Sequence, residues 1–142
     1  WEKANHIPFI VVAPGITKPG TRCATPIDLT VLYPSLLELA GLSADPTCDG
    51  QSIVPLLSKS NFDWKQPALM TYGRGNHAVR SQRWRYIRYA DGSEELYDHD
   101  RDPHEWTNLA GNPKHATVIA SHRRWLPKDE AKPVQNLKRK KK

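Results

Sequence analysis

Asp91-Gly92 stands between two short runs, "WRYIRYA" (84–90) and "EELYDH" (94–99), and constrains this chain more than any other feature. An Asp-Gly pair tolerates the positive φ angles of a tight reversal whose twist matches that of two antiparallel strands. The flanking runs are rich in aromatic and β-branched residues, as pleated, half-buried strands require. With a period of two, Trp84, Tyr86 and Arg88 share one face, while Arg85, Ile87 and Tyr89 share the other. "ALMTYG" (68–73) and "HAVRS" (77–81) have the same character, with glycine and polar turns between them. Together these runs predict a small antiparallel sheet.

The chain ahead of this sheet has a different texture. Ile7 to Val12 is continuously apolar, with Pro8 near its start and Pro14-Gly15 at its end. A run apolar on both faces suits a strand covered on both sides, as in an α/β domain. "IDLTVLYPSLLELAGL" (27–42) repeats Leu29, Leu32, Leu36, Leu39 and Ala40 at helical spacing. Asp28 or Thr30 can cap that helix, Pro34 falls in an early turn, and Gly41 can end it in the left-handed conformation. Residues 42–68 read as irregular, with a short apolar turn from Ile53 to Leu57. After the sheet, "DRDPHEWTNLAGNP" reads as loop. Lys114 to Leu126 reads as a helix burying Val118, Ile119, Trp125 and Leu126, and Pro127 stops it. The fold class is therefore α/β: residues 1–67 are the end of an α/β domain, 68–126 a subdomain of antiparallel sheet and packed helix, and 127–142 a disordered basic tail.

Charge narrows the function classes. The net charge of +6 is concentrated in residues 127–142, which hold seven basic and two acidic side chains. Residues 1–126 hold 14 basic and 13 acidic residues and are nearly neutral. Arg80, Arg83, Arg85 and Arg88 alternate with aromatics, but Glu94, Glu95, Asp98 and Asp100 stand on the next strand to balance them, so specific nucleic-acid readout is not expected. The Lys138–Lys142 run supports an alternative reading, a non-catalytic module whose tail grips polyanions such as sulfated glycans. No stretch approaches the ~18 apolar residues of a membrane span.

Cys23 and Cys48 lie outside any C-x-x-C pair, which leaves either a disulfide or two unpaired small residues. The series Asp98, Asp100, Asp102 lacks the glycine and closing glutamate of a calcium loop, and Pro103 interrupts it, so no metal site is expected there. His6, His99, His104 and His115 share no spacing.

Five segments occurring in order, "WEKANHIPFIVVAPG", "DLTVLYPSLLELAGL", "DGQSIVPLL", "HAVRSQRWRYIRY" and "ELYDHDRDPHEWTNLA", resemble sulfatases of the alkaline-phosphatase superfamily. They are most similar to bacterial enzymes of the iduronate-2-sulfatase type, and the resemblance covers residues 1 to about 126. In that family the W-E-x-x-x-x-x-P segment lies past the middle, a few residues after a sulfate-binding lysine. The resemblance thus implies the C-terminal third of an enzyme hydrolysing sulfate esters of a sulfated carbohydrate, located in the periplasm or secreted. It further implies that calcium and the formylglycine nucleophile belong to an upstream part of the same polypeptide. The family converts a Cys or Ser within C/S-x-P-x-R, whereas Cys23 reads C-A-T-P-I and Cys48 reads C-D-G-Q-S, so no catalytic residue and no metal ligand is expected in this chain.

"GRGNHAVRS" (73–81) is the candidate binding segment. Arg74 offers a planar fork for a sulfate or carboxylate, and Asn76 and His77 add directional hydrogen bonds. In such sulfatases the loop entering the C-terminal sheet approaches the substrate pocket.

Overall fold

A computed structural model describes residues 1–132, opening on a single helical turn, α1 (Glu2–Asn5). Four strands, β1 (Ala68–Thr71), β2 (His77–Arg80), β3 (Trp84–Arg88) and β4 (Glu94–Asp98), form one antiparallel sheet in the order β1-β2-β3-β4. Tyr86 stands opposite Val79 on one side and Leu96 on the other. These three side chains are fully buried and form a core with Ile119 of α4 (Ala116–Arg123). The sheet has the expected members, and the alternation of β3 explains its packing: Tyr86 points to α4, while Arg85 points away from it.

The turns behave as their residues dictate. At the Asp91-Gly92 turn, the Tyr89 amide donates to Ser93 O at 3.0 Å and Gly92 takes φ 87°. Asn108 completes the outer edge of β4. Its Oδ1 accepts from the Leu96 amide at 3.0 Å and its Nδ2 donates to Glu94 O at 3.1 Å, giving an edge strand partners it would otherwise lack.

A second, smaller core joins Val31, Ile53 and Leu56. It is built by a 3₁₀ turn (Leu29–Val31), α2 (Leu32–Leu39) and α3 (Val54–Ser58). Asp28 caps this unit through Thr30 N at 3.0 Å, and its other carboxylate oxygen accepts from Leu69 N at 2.9 Å, tying the helix start to β1. Ser35 is buried because its hydroxyl donates to Val31 O at 2.5 Å and accepts from Ile53 N at 2.9 Å. Gly50 allows the chain to cross the cap, since a Cβ there would lie 2.2 Å from Thr30 O. Gly41 ends α2 with φ 68°, as expected.

Three expectations are corrected. Ile7–Val12 is not a strand: the run has no ladder partner among the described residues, and Ile10 and Val12 are 86% and 83% exposed. In α2 the leucine stripe faces outward, with Leu29, Leu32 and Leu36 exposed, while Val31 and Ser35 face the small core. The terminal helix is shorter than Lys114–Leu126 and buries Ile119 and His122, leaving Trp125 exposed. The tail also departs from a detached chain over 127–132, where Glu130 reaches the β1–β2 loop. Residues 133–142, with the Lys138–Lys142 run, lie outside the described residues. Cys23 and Cys48 are both free thiols. No helix among the described residues is long and apolar enough to cross a membrane.

Candidate functional site

The candidate segment forms the loop between β1 and β2. Tyr72 N donates to Asn76 O at 3.0 Å, and Gly73 and Gly75 take φ of 69° and 77°. Gly75 is required twice over, because a Cβ there would also meet Ala90 Cβ at 2.9 Å. The three expected residues do different work. Asn76 is a brace: its Nδ2 donates to Arg74 O at 3.1 Å and its Oδ1 accepts from Ala90 N at 3.2 Å. His77 is buried, with Nδ1 2.9 Å from Thr71 Oγ1 and Nε2 3.2 Å from Glu130 Oε1. Arg74 is exposed at the loop tip, and its guanidinium has no partner among the described residues. Tyr72, also exposed, flanks it as an aromatic face that spacing alone did not single out.

The opposite face of the sheet holds a cluster that sequence reasoning missed. Arg85, 1% exposed, donates from Nη2 to Glu2 Oε2 (2.5 Å), and its Nε lies 2.6 Å from Glu105 Oε1 as an ion pair without hydrogen-bond alignment. Arg80 Nε donates to the same Glu2 oxygen at 3.1 Å, and His99 Nε2 lies 2.9 Å from Glu105 Oε1. The Glu2 amide donates to Glu105 Oε2 at 2.9 Å, and Glu105 takes φ 59°, a left-handed conformation unusual for glutamate. Burial opposes the charge of Glu2, but hydrogen bonds from Arg85 and Arg80 hold its carboxyl below the usual carboxylate range. The signal was in the alternation: an arginine at an inward position of β3 demands buried acids, and Glu2 and Glu105 lie far from it in sequence.

Calcium does not fit this cluster. Glu2, His99 and Glu105 bring ligand atoms together, yet the Arg85 guanidinium already lies against both carboxylates, placing a fixed positive charge where a cation would sit. Neither thiol fits the formylglycine role. Cys23 Sγ donates to Ser60 O at 3.4 Å on the surface, and loss of solvation together with Asp45 and Asp49 raises the Cys48 thiol above its ordinary pKa. Of the other histidines, His104 stacks on Trp106 at the surface, His115 packs on Trp84, and the exposed His6 lies 3.5 Å from Glu2 Oε1. Arg83 pairs with Asp98 through Nε at 2.8 Å and Nη2 at 2.7 Å, the cross-strand balance expected from composition. Two shallow depressions of about 280 Å³ lie elsewhere, one under α4 and one beside Trp64, and neither reaches the Arg74 loop. Among the described residues the β1–β2 loop thus presents an exposed guanidinium, Arg74, beside an exposed tyrosine ring, Tyr72.

A four-stranded antiparallel sheet with one terminal helix, tied from behind by a Trp-Glu segment, is the C-terminal subdomain of a sulfatase. Residues 1–132 match the family described as N-sulphoglucosamine sulphohydrolase, C-terminal, and the chain belongs to that family. A sulfatase of Formosa agariphila is 39% identical over 131 residues, 92% of this chain and 26% of the relative. A Delta 4,5-hexuronate-2-O-sulfatase of Bacteroides thetaiotaomicron is 32% identical over 138 residues, 89% of this chain and 28% of the relative. The solved structure of a 2-O GAG sulfatase superposes with a TM-score of 0.51 at 30% identity, covering 66% of this chain and 22% of that one. The chain thus spans about a quarter of the length of the curated relatives it matches.

Proposed function

We propose that this chain is the C-terminal part of an enzyme that hydrolyses sulfate esters of a sulfated carbohydrate outside the cytoplasm, where it closes the substrate pocket and selects the substrate. The nucleophile and the calcium ion are assigned to the upstream part of the same polypeptide, because no described residue here fits either. A formylglycine in that upstream part would supply the nucleophilic oxygen for the reaction at sulfur. This chain's own contribution is recognition. Arg74 reads an anionic group on the sugar, Tyr72 offers its ring to an apolar sugar face, and Asn76 and His77 hold the loop that presents them.

The observation that carries the reading is the exposed Arg74, without a partner among the described residues, on a loop braced by Asn76 and the close Gly75–Ala90 approach. The hexuronate and glycosaminoglycan relatives support an anionic sugar as ligand. In the full-length enzyme, Arg74→Ala should remove a charge-assisted contact worth ~1.5–3 kcal/mol, a tenfold to hundredfold loss in kcat/KM on the sulfated sugar. A small uncharged aryl sulfate should be affected less. Equal kinetics for variant and parent on the sugar would reject the loop as a binding site. The 142-residue chain by itself should show no aryl sulfate turnover.

A further inference from the structure

We propose that the Gly75 amide and His77 Nε2, beside Arg74, form an oxyanion subsite that the chain's own Glu130 carboxylate fills in cis, so that Glu130 competes with an anionic ligand. This rests on the reading of the Arg74 loop as an anion-reading edge.

Glu130 Oε2 accepts from Gly75 N at 2.6 Å, a short charge-assisted bond to a backbone donor of the β1–β2 loop. Its other oxygen, Oε1, lies 3.2 Å from His77 Nε2. That nitrogen is buried and makes no well-directed hydrogen bond among the described residues, so the carboxylate sits close to it without satisfying it. The His77 side chain is 4% exposed and fixed from behind by Thr71, so Nε2 is aimed at a spot it does not adapt to. The donors match two oxygens of one anion about as far apart as those of a carboxylate or a sulfate. The Gly75 amide first, then His77, holds the Glu130 carboxyl below its ordinary pKa, and Arg74 adds to the effect through its charge. Glu130 stands on a segment with no secondary structure that follows Pro127, so the occupant hangs on an irregular arm, while His77 opens β2 and Gly75 lies in the braced loop just before it.

A tethered occupant lowers apparent affinity by the fraction of time the site is free. A site open one-tenth of the time binds about tenfold more weakly. The test uses ¹⁵N-labelled full chain titrated with sodium sulfate and, separately, sodium glucuronate, against sodium chloride at matched ionic strength. Glu130→Ala should bind at least one of the two about tenfold more tightly than the parent, with the largest shifts at Gly75 and His77. Stronger gain for sulfate or for glucuronate assigns the anion to the ester or to the uronate. His77→Gln added to Glu130→Ala should remove the gain. Glu130→Gln, which keeps the shape and loses the charge, should fall between parent and Glu130→Ala. Equal affinities in parent and Glu130→Ala, no saturable binding in either, or shifts centred elsewhere would each overturn the proposal, and the same spectra report whether each variant is folded. The outcome is separable from the substrate reading. Tighter binding by Glu130→Ala with unchanged kinetics for Arg74→Ala would keep the subsite and reject its role in substrate choice. The converse would reject self-occupancy alone.

Discussion

Arg85 shows how one side chain sets the connection between distant parts of the chain. Its guanidinium is buried between Glu2 and Glu105, residues separated by most of the polypeptide. Arg85→Met should lower the unfolding free energy by about 3–5 kcal/mol, because the buried Glu105 carboxylate loses its counter-charge. Urea denaturation of the parent and variant chains measures this, and a loss under about 1 kcal/mol would mean the pair is replaceable by packing. His122 carries the pH dependence at this scale. Burial lowers its pKa below the ordinary 6.5, and its ring bridges Ser81 Oγ (2.9 Å) and Val118 O (2.8 Å). The unfolded chain therefore takes up a proton more readily than the folded one just below pH 6.5. Stability is fully present above that value and falls as pH drops toward the folded-state pKa. His122→Gln should flatten this limb of a melting-temperature profile, and an unchanged slope would assign the limb to other groups.

At the scale of elements, the three hairpin connections obey local turn chemistry, but they are not equivalent. Gly75 and Gly92 both have positive φ, and only Gly75 has a neighbour where a Cβ would go. Gly92→Ala should cost about 1–2 kcal/mol, the left-handed penalty alone. Gly75→Ala should cost distinctly more and displace the Ala90 turn, since Ala90 Cβ at 2.9 Å must move. Thermal denaturation of the two variants side by side checks the order; equal losses would mean that the β1–β2 loop yields freely. The same loop carries Arg74, so its stiffness bears directly on recognition.

At the scale of the whole molecule, apolar surface is left uncovered along Ile7, Phe9, Ile10 and Val12 and along Leu29, Leu32 and Leu36. Two small cores and one sheet are too little structure to cover these runs. In the proposed full-length enzyme the upstream part supplies the cover. Ile10→Asp should change the stability of the 142-residue chain by no more than about 0.5 kcal/mol, since Ile10 is 86% exposed there. In the full-length enzyme the same change should cost more than about 2 kcal/mol, by burying an unpaired charge. Equal small effects in both proteins would reject cover at this position.

The sheet was legible because its causes are local: Asp91-Gly92 reverses the chain and period-two aromatics pair across it; in the same way Gly41 stops α2 where expected. The motif order was enough to place the chain among sulfatases, which the match over residues 1–132 bears out. Only the tertiary structure decided which faces are inside. Ile7–Val12 has strand composition, but a ladder exists only where a partner lies alongside. The α2 leucines follow helical spacing, yet Val31 and Ser35 are inward because Ile53 and Leu56 sit on that side. In the candidate loop, composition made Arg74, Asn76 and His77 look alike. Contacts with Ala90, Thr71 and Glu130, the last from a segment far along the chain, engage Asn76 and His77 and leave Arg74 without a partner among the described residues. Turn preferences act over a few residues and can be read from them, whereas burial and charge pairing depend on which distant segments meet.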